Sequence, residues 1–156
     1  MKNLGHVLKW LLLGALIAGA LDISYAIVFY GLRNHAPPAR ILQSVASGWL
    51  GKAAYQGGTA TATLGLATHF LNALIITAVF FAIAARVPAL RAKSVVSGVL
   101  FGMVVYAVMN YVVIPLSAIG HFLPFVPIVF ATGLLVHMFL IGLPIAWAAS
   151  RGLGKP

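Results

Sequence analysis

Four long apolar stretches, each nearly free of charge, constrain the fold of this chain more than any other feature. They span about 7–30, 59–85, 94–117 and 124–150, and no charged residue lies between Lys93 and Arg151. A helix of about 20 apolar residues crosses the ~30 Å hydrocarbon core of a bilayer. Inside that core a helix satisfies its own backbone hydrogen bonds. We therefore predict an all-α fold, a four-helix transmembrane bundle that forms a single domain over residues 1–156.

Composition supports the bilayer as the solvent and main partner of this chain. Hydrophobic residues make up 62% of the sequence and charged residues 7%, whereas about 25% of residues are charged in soluble domains. The net charge of +9 is of the kind that nucleic-acid-binding proteins carry. The basic residues, however, cluster at the ends of the apolar stretches, where topology signals occur, so we predict no nucleic-acid partner. Cysteine is absent, which excludes disulfides and thiolate metal sites.

The distribution of lysine and arginine predicts the orientation of the bundle. With four spans, seven basic residues lie on one side of the membrane and three on the other. The first group is Lys2, Lys9, Arg86, Arg91, Lys93, Arg151 and Lys155, and the second is Arg33, Arg40 and Lys52. Because cytoplasmic loops are enriched in positive charge, we predict a bacterial inner (plasma) membrane protein with both termini in the cytoplasm.

The first apolar stretch has an alternative interpretation as a secretory signal. Lys2 and Lys9 precede it, and the segment Ala18-Gly19-Ala20 has the small residues of a signal-peptidase site. Cleavage there would leave three spans. Because apolar residues resume after Asp22 and continue to Tyr30, the stretch is longer than a signal sequence, and we favour a retained first helix.

The first external loop predicts a short amphipathic helix over about 39–55. Apolar residues recur there at helical spacing, and Pro37-Pro38 supplies a helix start. Such a helix would lie on, or dip into, the outer leaflet. The alternative is a loop segment that packs on the bundle and caps it.

The sequence also contains a weak internal repeat. Residues 65–69 (GLATH) match residues 133–137 (GLLVH), and Gly14 precedes Asp22 by the same interval that separates Gly102 from Asn110. The chain is therefore interpretable as two tandem two-helix units related by an axis along the membrane normal.

Five strongly polar residues lie well inside the apolar stretches and form our candidate site. They are Asp22, His69, Asn72, Asn110 and His137. An ionised Asp at mid-membrane costs about 2.5–3.5 kcal/mol on insertion scales, so such residues face protein or water. At a rise of about 1.5 Å per residue, four of them, one on each helix, lie between the midplane and the outer leaflet. These four are Asp22, His69, Asn110 and His137. This common depth predicts one shared buried site.

Small residues mark the faces through which the helices should pack. Several glycines lie about one or two helical turns from a polar residue or from another glycine, so they share a helix face with it. Small residues on such a face let two helices approach closely. These candidate packing residues are Gly14, Gly65, Gly98, Gly102 and Gly133. The polar cluster itself has a purely structural alternative, in which Asp22 pairs with a histidine and holds the bundle together.

The chain resembles a group of small uncharacterised bacterial four-helix inner-membrane proteins. The resemblance rests on RILQSVASG (40–48), GLATHF (65–70) and NYVVIPLS (110–117), and it covers most of the chain. It implies a location and a helix count. It implies no activity and carries no catalytic residue.

From these residues we expect binding or passage of protons or a small polar solute, because carboxylate and imidazole exchange protons near neutral pH. Four helices leave little room for a pathway, so passage would require a homo-oligomer. One alternative is a structural or assembly subunit that docks to other membrane proteins. Another is b-type haem held by His69 and His137, or a divalent metal held by these residues with Asp22. We predict no catalytic activity, because the sequence contains no recognised catalytic motif.

Overall fold

A computed structural model describes residues 3–154, and this part of the chain is helical with no strand. The helices in chain order are α1 (Leu4–Asn34), α2 (Pro38–Leu50), α3 (Gly58–Arg86), α4 (Pro88–Ala92), α5 (Ser94–Leu116) and α6 (Pro127–Gly152). A 3₁₀ turn, Gly51–Gln56, links α2 to α3. Four of these helices, α1, α3, α5 and α6, are long and apolar enough to cross a membrane. The predicted all-α fold with four apolar spans is confirmed.

The predicted spans agree with the helices to within a few residues, and the difference at the start of α6 has a clear cause. The sequence placed that start near Pro124, but Val126 is still extended (φ −127°, ψ 113°) and α6 begins at Pro127. Proline is favoured in the first helical turn because its missing N–H has no partner to lose there. The loop between α5 and α6 therefore covers residues 117–126.

The four long helices form a ring with one open edge. Helix α1 packs against both α3 and α6, and α5 packs against α6. Helices α3 and α5 do not pack along their length, and the rings of Phe80 and Phe101, 4.8 Å apart, form their aromatic contact. We call the end of the bundle that carries α2 the α2 end, and the opposite end, where α1 begins and α6 finishes, the terminal end.

The terminal half of the bundle contains the tightest core. Phe80 and Ile145 are almost completely buried there, together with alanines of α6. At the terminal end the Arg91 guanidinium donates hydrogen bonds to the carbonyls of Leu153 (3.2 Å) and Gly154 (3.0 Å). These bonds satisfy carbonyls that the end of α6 leaves without helical partners.

Glycine allows the backbones of α5 and α6 to touch. A Cβ added at Gly98 would lie 2.7 Å from the Gly142 carbonyl oxygen, and one at Gly102 would collide with the His137 carbonyl. Gly142, which the sequence analysis did not single out, sits against Gly98 from the other side. This close approach fixes α5 on α6 and determines where His137 lies.

The remaining predicted packing glycines face different neighbours. Gly14 of α1 faces Ala148 of α6, and Gly133 of α6 faces the Tyr106 ring. Gly65 of α3 lies directly against the Leu42 carbonyl, so α2 crosses α3 at this glycine. Gly65 and Gly133, which the proposed repeat makes equivalent, thus have unlike partners, and the repeat stays a prediction.

We predict that Gly98→Ala lowers the free energy of unfolding by about 1–3 kcal/mol, because an added methyl group overpacks a backbone contact. The matched control is Gly31→Ala in α1, where the nearest atom to an added Cβ is 3.7 Å away. Reversible unfolding in mixed micelles measures both variants. Equal stability of the two variants would contradict the packing of α5 on α6.

The predicted orientation is also testable, because a chain without cysteine accepts single-cysteine labels. Asn34 lies at the α2 end and Lys93 at the terminal end, and both are exposed. We expect a membrane-impermeant maleimide to label Asn34→Cys in cells with a permeabilised outer membrane, and Lys93→Cys only after the inner membrane is opened. The reverse pattern would invert the topology predicted from the basic residues.

Candidate functional site

A cavity of about 1160 Å³ occupies the α2-end half of the bundle. All five polar residues of the candidate site line it, and they come from all four long helices: Asp22, His69, Asn72, Asn110 and His137. The 3₁₀ turn, the C-terminal part of α2 and the loop after α5 line its α2 end. The structure therefore brings together the residues that the sequence placed at one depth, although their function stays a prediction.

His69 is held by a backbone carbonyl of the neighbouring helix. Its Nε2 lies 2.8 Å from the Gly19 carbonyl oxygen, and because a carbonyl only accepts, Nε2 must carry the proton. Gly19 permits this contact, since a Cβ there would lie 2.9 Å from the Phe70 ring. In its neutral form His69 thus has Nδ1 as its unprotonated nitrogen.

His137 has the opposite tautomer. Its Nδ1 donates a hydrogen bond of 2.9 Å to the Gly133 carbonyl one turn earlier, and the Tyr106 ring meets the imidazole edge-on at 5.2 Å. Its Nε2 is therefore the unprotonated nitrogen in the neutral form. Each of these half-buried imidazoles is oriented by one hydrogen bond to a backbone carbonyl and keeps one basic nitrogen.

Prolines shape the helices at Asn110 and His137. A π-helical turn, Met109–Val113, precedes Pro115, and a second, His137–Gly142, precedes Pro144. A proline ring clashes with the carbonyl four residues earlier, and local π-helical widening accommodates this in membrane helices. Such turns recur at functional sites. The sequence alone did not connect Pro115 and Pro144 with the polar residues.

The Asn110 amide and the Asp22 carboxylate differ in their hydrogen-bond and ion-pair partners. Asn110 Nδ2 donates to the Tyr106 carbonyl of its own helix at 2.9 Å. Asp22 is half-buried and lines the cavity. Within residues 3–154 its carboxylate makes no ion pair, although it is the only acidic side chain of the whole sequence.

Two hydrogen bonds that could not be predicted from the sequence border the α2 end of the cavity. The Trp49 indole N–H donates to the Thr68 hydroxyl at 3.0 Å, and the Ala118 amide donates to the Gly48 carbonyl at 2.9 Å. These bonds join α2 to α3 and to the loop after α5, and we call this part the roof. Lys52 and His121 also line the cavity here. The only hint of this contact in the sequence is that Thr68, a possible hydrogen-bond acceptor, directly precedes His69.

The terminal half of the bundle closes the other end. Ile76 and Ile141 line the cavity at its base, and below them Phe80 and Ile145 are 1% and 0% exposed. The cavity is therefore a pocket with a sealed base in this conformation.

The donor geometry does not favour the metal and haem alternatives. Within residues 3–154 no three histidine or acidic side chains are grouped closely enough to hold one metal ion. A haem iron would have to bind His69 through Nδ1, because Nε2 is engaged by Gly19. We derive no function from either group.

Comparisons with protein-family models, with curated proteins and with solved structures find no match to this chain. The fold and composition define a multi-pass membrane protein. A more specific functional assignment therefore depends on the residues that line the cavity.

We predict that the cavity admits water. Asn72→Cys should react with a hydrophilic methanethiosulfonate, because the side chain at 72 lines the cavity and a thiol needs a polar environment to ionise. Ile75→Cys on the same helix, 52% exposed on the bundle exterior, is the matched control and should stay unreactive in a bilayer. Equal reactivity at both positions, or none at 72, would contradict a hydrated cavity.

Proposed function

We propose that this protein binds protons or a small polar solute, with cations favoured, in the cavity lined by Asp22, His69, Asn72, Asn110 and His137. We place it in a bacterial inner membrane with both termini cytoplasmic, as the basic residues predict. One observation carries the proposal. The only side-chain carboxylate of the sequence faces, without an ion-pair partner among residues 3–154, a cavity that it shares with two half-buried imidazoles.

The unpaired state of Asp22 favours binding over a structural clip. A clip requires Asp22 to pair with His69 or His137, but each imidazole instead donates its proton to a backbone carbonyl. A carboxylate at this depth is expensive in a membrane helix and marks a functional site by default. A bound proton or cation would neutralise the charge that the described residues leave uncompensated.

The sealed base favours binding over passage. Any route across the bundle must pass Phe80 and Ile145, which fill the terminal half. Passage therefore requires a second conformation that separates these side chains, or an oligomer that supplies another route. Binding requires neither.

The alternative is a structural or assembly subunit. The open edge between α3 and α5 supports it, because another membrane helix would fit against an edge that the bundle leaves unpaired. In that case the polar cluster would only hold the fold, and its replacement would alter stability rather than binding.

Ethylammonium binding tests the proposal. Trp49 lines the cavity, whereas Trp10 and Trp147 contact each other at 5.1 Å. Replacing these two with Phe leaves Trp49 as the only fluorophore among the three tryptophans. In nanodiscs we expect saturable ethylammonium-dependent fluorescence, and a dissociation constant about tenfold or more higher in Asp22→Asn, because a charge-assisted bond is lost.

Ser24→Asn, at an exposed position of α1, is the matched control and should bind ethylammonium like the parent protein. Proton flux into liposomes is measured with the same variants. Unchanged binding in Asp22→Asn would remove Asp22 from the site. No cation binding and no Asp22-dependent proton flux in the parent protein would favour the assembly subunit.

A further inference from the structure

The cavity is bordered by the open edge of the bundle. Neighbouring helices pack at every other edge of the ring, but α3 and α5 do not pack along their length. The Phe80–Phe101 contact closes this edge toward the terminal end, and the roof contact from Gly48 to Ala118 spans the α2 end. Between these two contacts no helix packing joins α3 to α5 along the cavity, so this edge offers room for a lateral window toward the bilayer.

The two sides of the cavity differ in chemistry. The α5 side presents mainly apolar groups over two turns, including Val105, Met109 and Val113, and Asn110 is its one strongly polar side chain at the cavity. The carboxylate and both imidazoles come from α1, α3 and α6. Most ligand pockets combine an apolar lining with a few polar groups that fix orientation, and a ligand with one polar end and one apolar end matches this separation.

The size of the cavity exceeds what a small ion requires. Its volume of about 1160 Å³ is slightly larger than the ~300–1,000 Å³ typical of pockets for drug-sized ligands. An ammonium group or a proton at Asp22 leaves most of this volume to other atoms. An alkyl chain along Val105, Met109 and Val113 of α5 would occupy much of this volume against apolar side chains.

Charge favours a lateral route for a cation. Lys52 lines the cavity at the roof, and Arg40 lies beside it over the Tyr55 ring at 4.1 Å. Like charges at the aqueous end repel an approaching cation. The residues of α3 and α5 that line the cavity include no lysine or arginine, and among them are Asn72 and Met109.

We infer that the ligand is a cationic amphiphile, a long-chain amine that enters from the bilayer between α3 and α5. Its ammonium group binds Asp22, and its alkyl chain lies along the apolar side of α5. This inference rests on the proposed function, because it assigns the substrate class of the same site.

The test compares ethylammonium with decylammonium in phosphatidylcholine nanodiscs, with Trp49 as the fluorophore in the Trp10→Phe/Trp147→Phe background. Decanol and decanoate, at equal mole fraction in the bilayer, control for partition of the tail. We expect Asp22→Asn to weaken both amines. We expect Met109→Gln, similar in volume but polar, to raise the dissociation constant of decylammonium about tenfold or more and to leave that of ethylammonium within about twofold.

Val108→Gln, on the lipid-facing side of α5 and 43% exposed, is the matched control and should change neither constant. Val113→Thr repeats the test with a smaller perturbation should Met109→Gln fold poorly. If ethylammonium binding depends on Asp22 but Met109→Gln does not selectively weaken decylammonium binding, the amphiphile is overturned and the proposed function stands. Absence of binding by both amines would overturn the cationic amphiphile, and only if Asp22-dependent proton flux were absent as well would it overturn the proposed function. Asp22-independent binding of decanoate would overturn the cationic assignment.

Discussion

Hydrocarbon offers no partner to a polar group, and this constraint accounts for most of the structure. Backbone groups are satisfied within helices, while His69, Asn110 and His137 donate to backbone carbonyls. Prolines, which remove a donor, are accommodated by π-helical turns rather than by breaks in the middle of the helices. The carboxylate of Asp22 lines the cavity and has no ion-pair partner among residues 3–154, and the functional proposal rests on this carboxylate.

Glycine distribution explains why the cavity lies in one half of the bundle. Backbone contact at Gly98 and Gly102 fixes α5 to α6, and Gly14 fixes α1 to α6. In helix α3 the close-contact glycine, Gly65, packs against α2 and not against another long helix. Because no equivalent contact draws α3 toward α5, the ring stays open at that edge, and the roof covers the resulting space.

The sequence predicts the spans and the common depth of the polar residues, because both depend only on apolar run length and helical rise. Hydropathy does not reveal which helix is the neighbour of which. Gly65 was predicted to face a helix, but nothing near it indicates that this helix is α2. The roof bond from Trp49 to Thr68 and the tautomers of His69 and His137 depend on these neighbours, so they required coordinates.

The central claim is that Asp22 and both imidazoles face one hydrated cavity inside the bundle. Water-edited solid-state NMR of the isotope-labelled protein in lipid bilayers tests it most directly. We predict rapid magnetisation transfer from water to the Asp22 carboxyl carbon and to both rings, with Nε2–H in His69 and Nδ1–H in His137 when neutral. Signals from these three side chains that receive magnetisation only from lipid acyl chains would contradict the account.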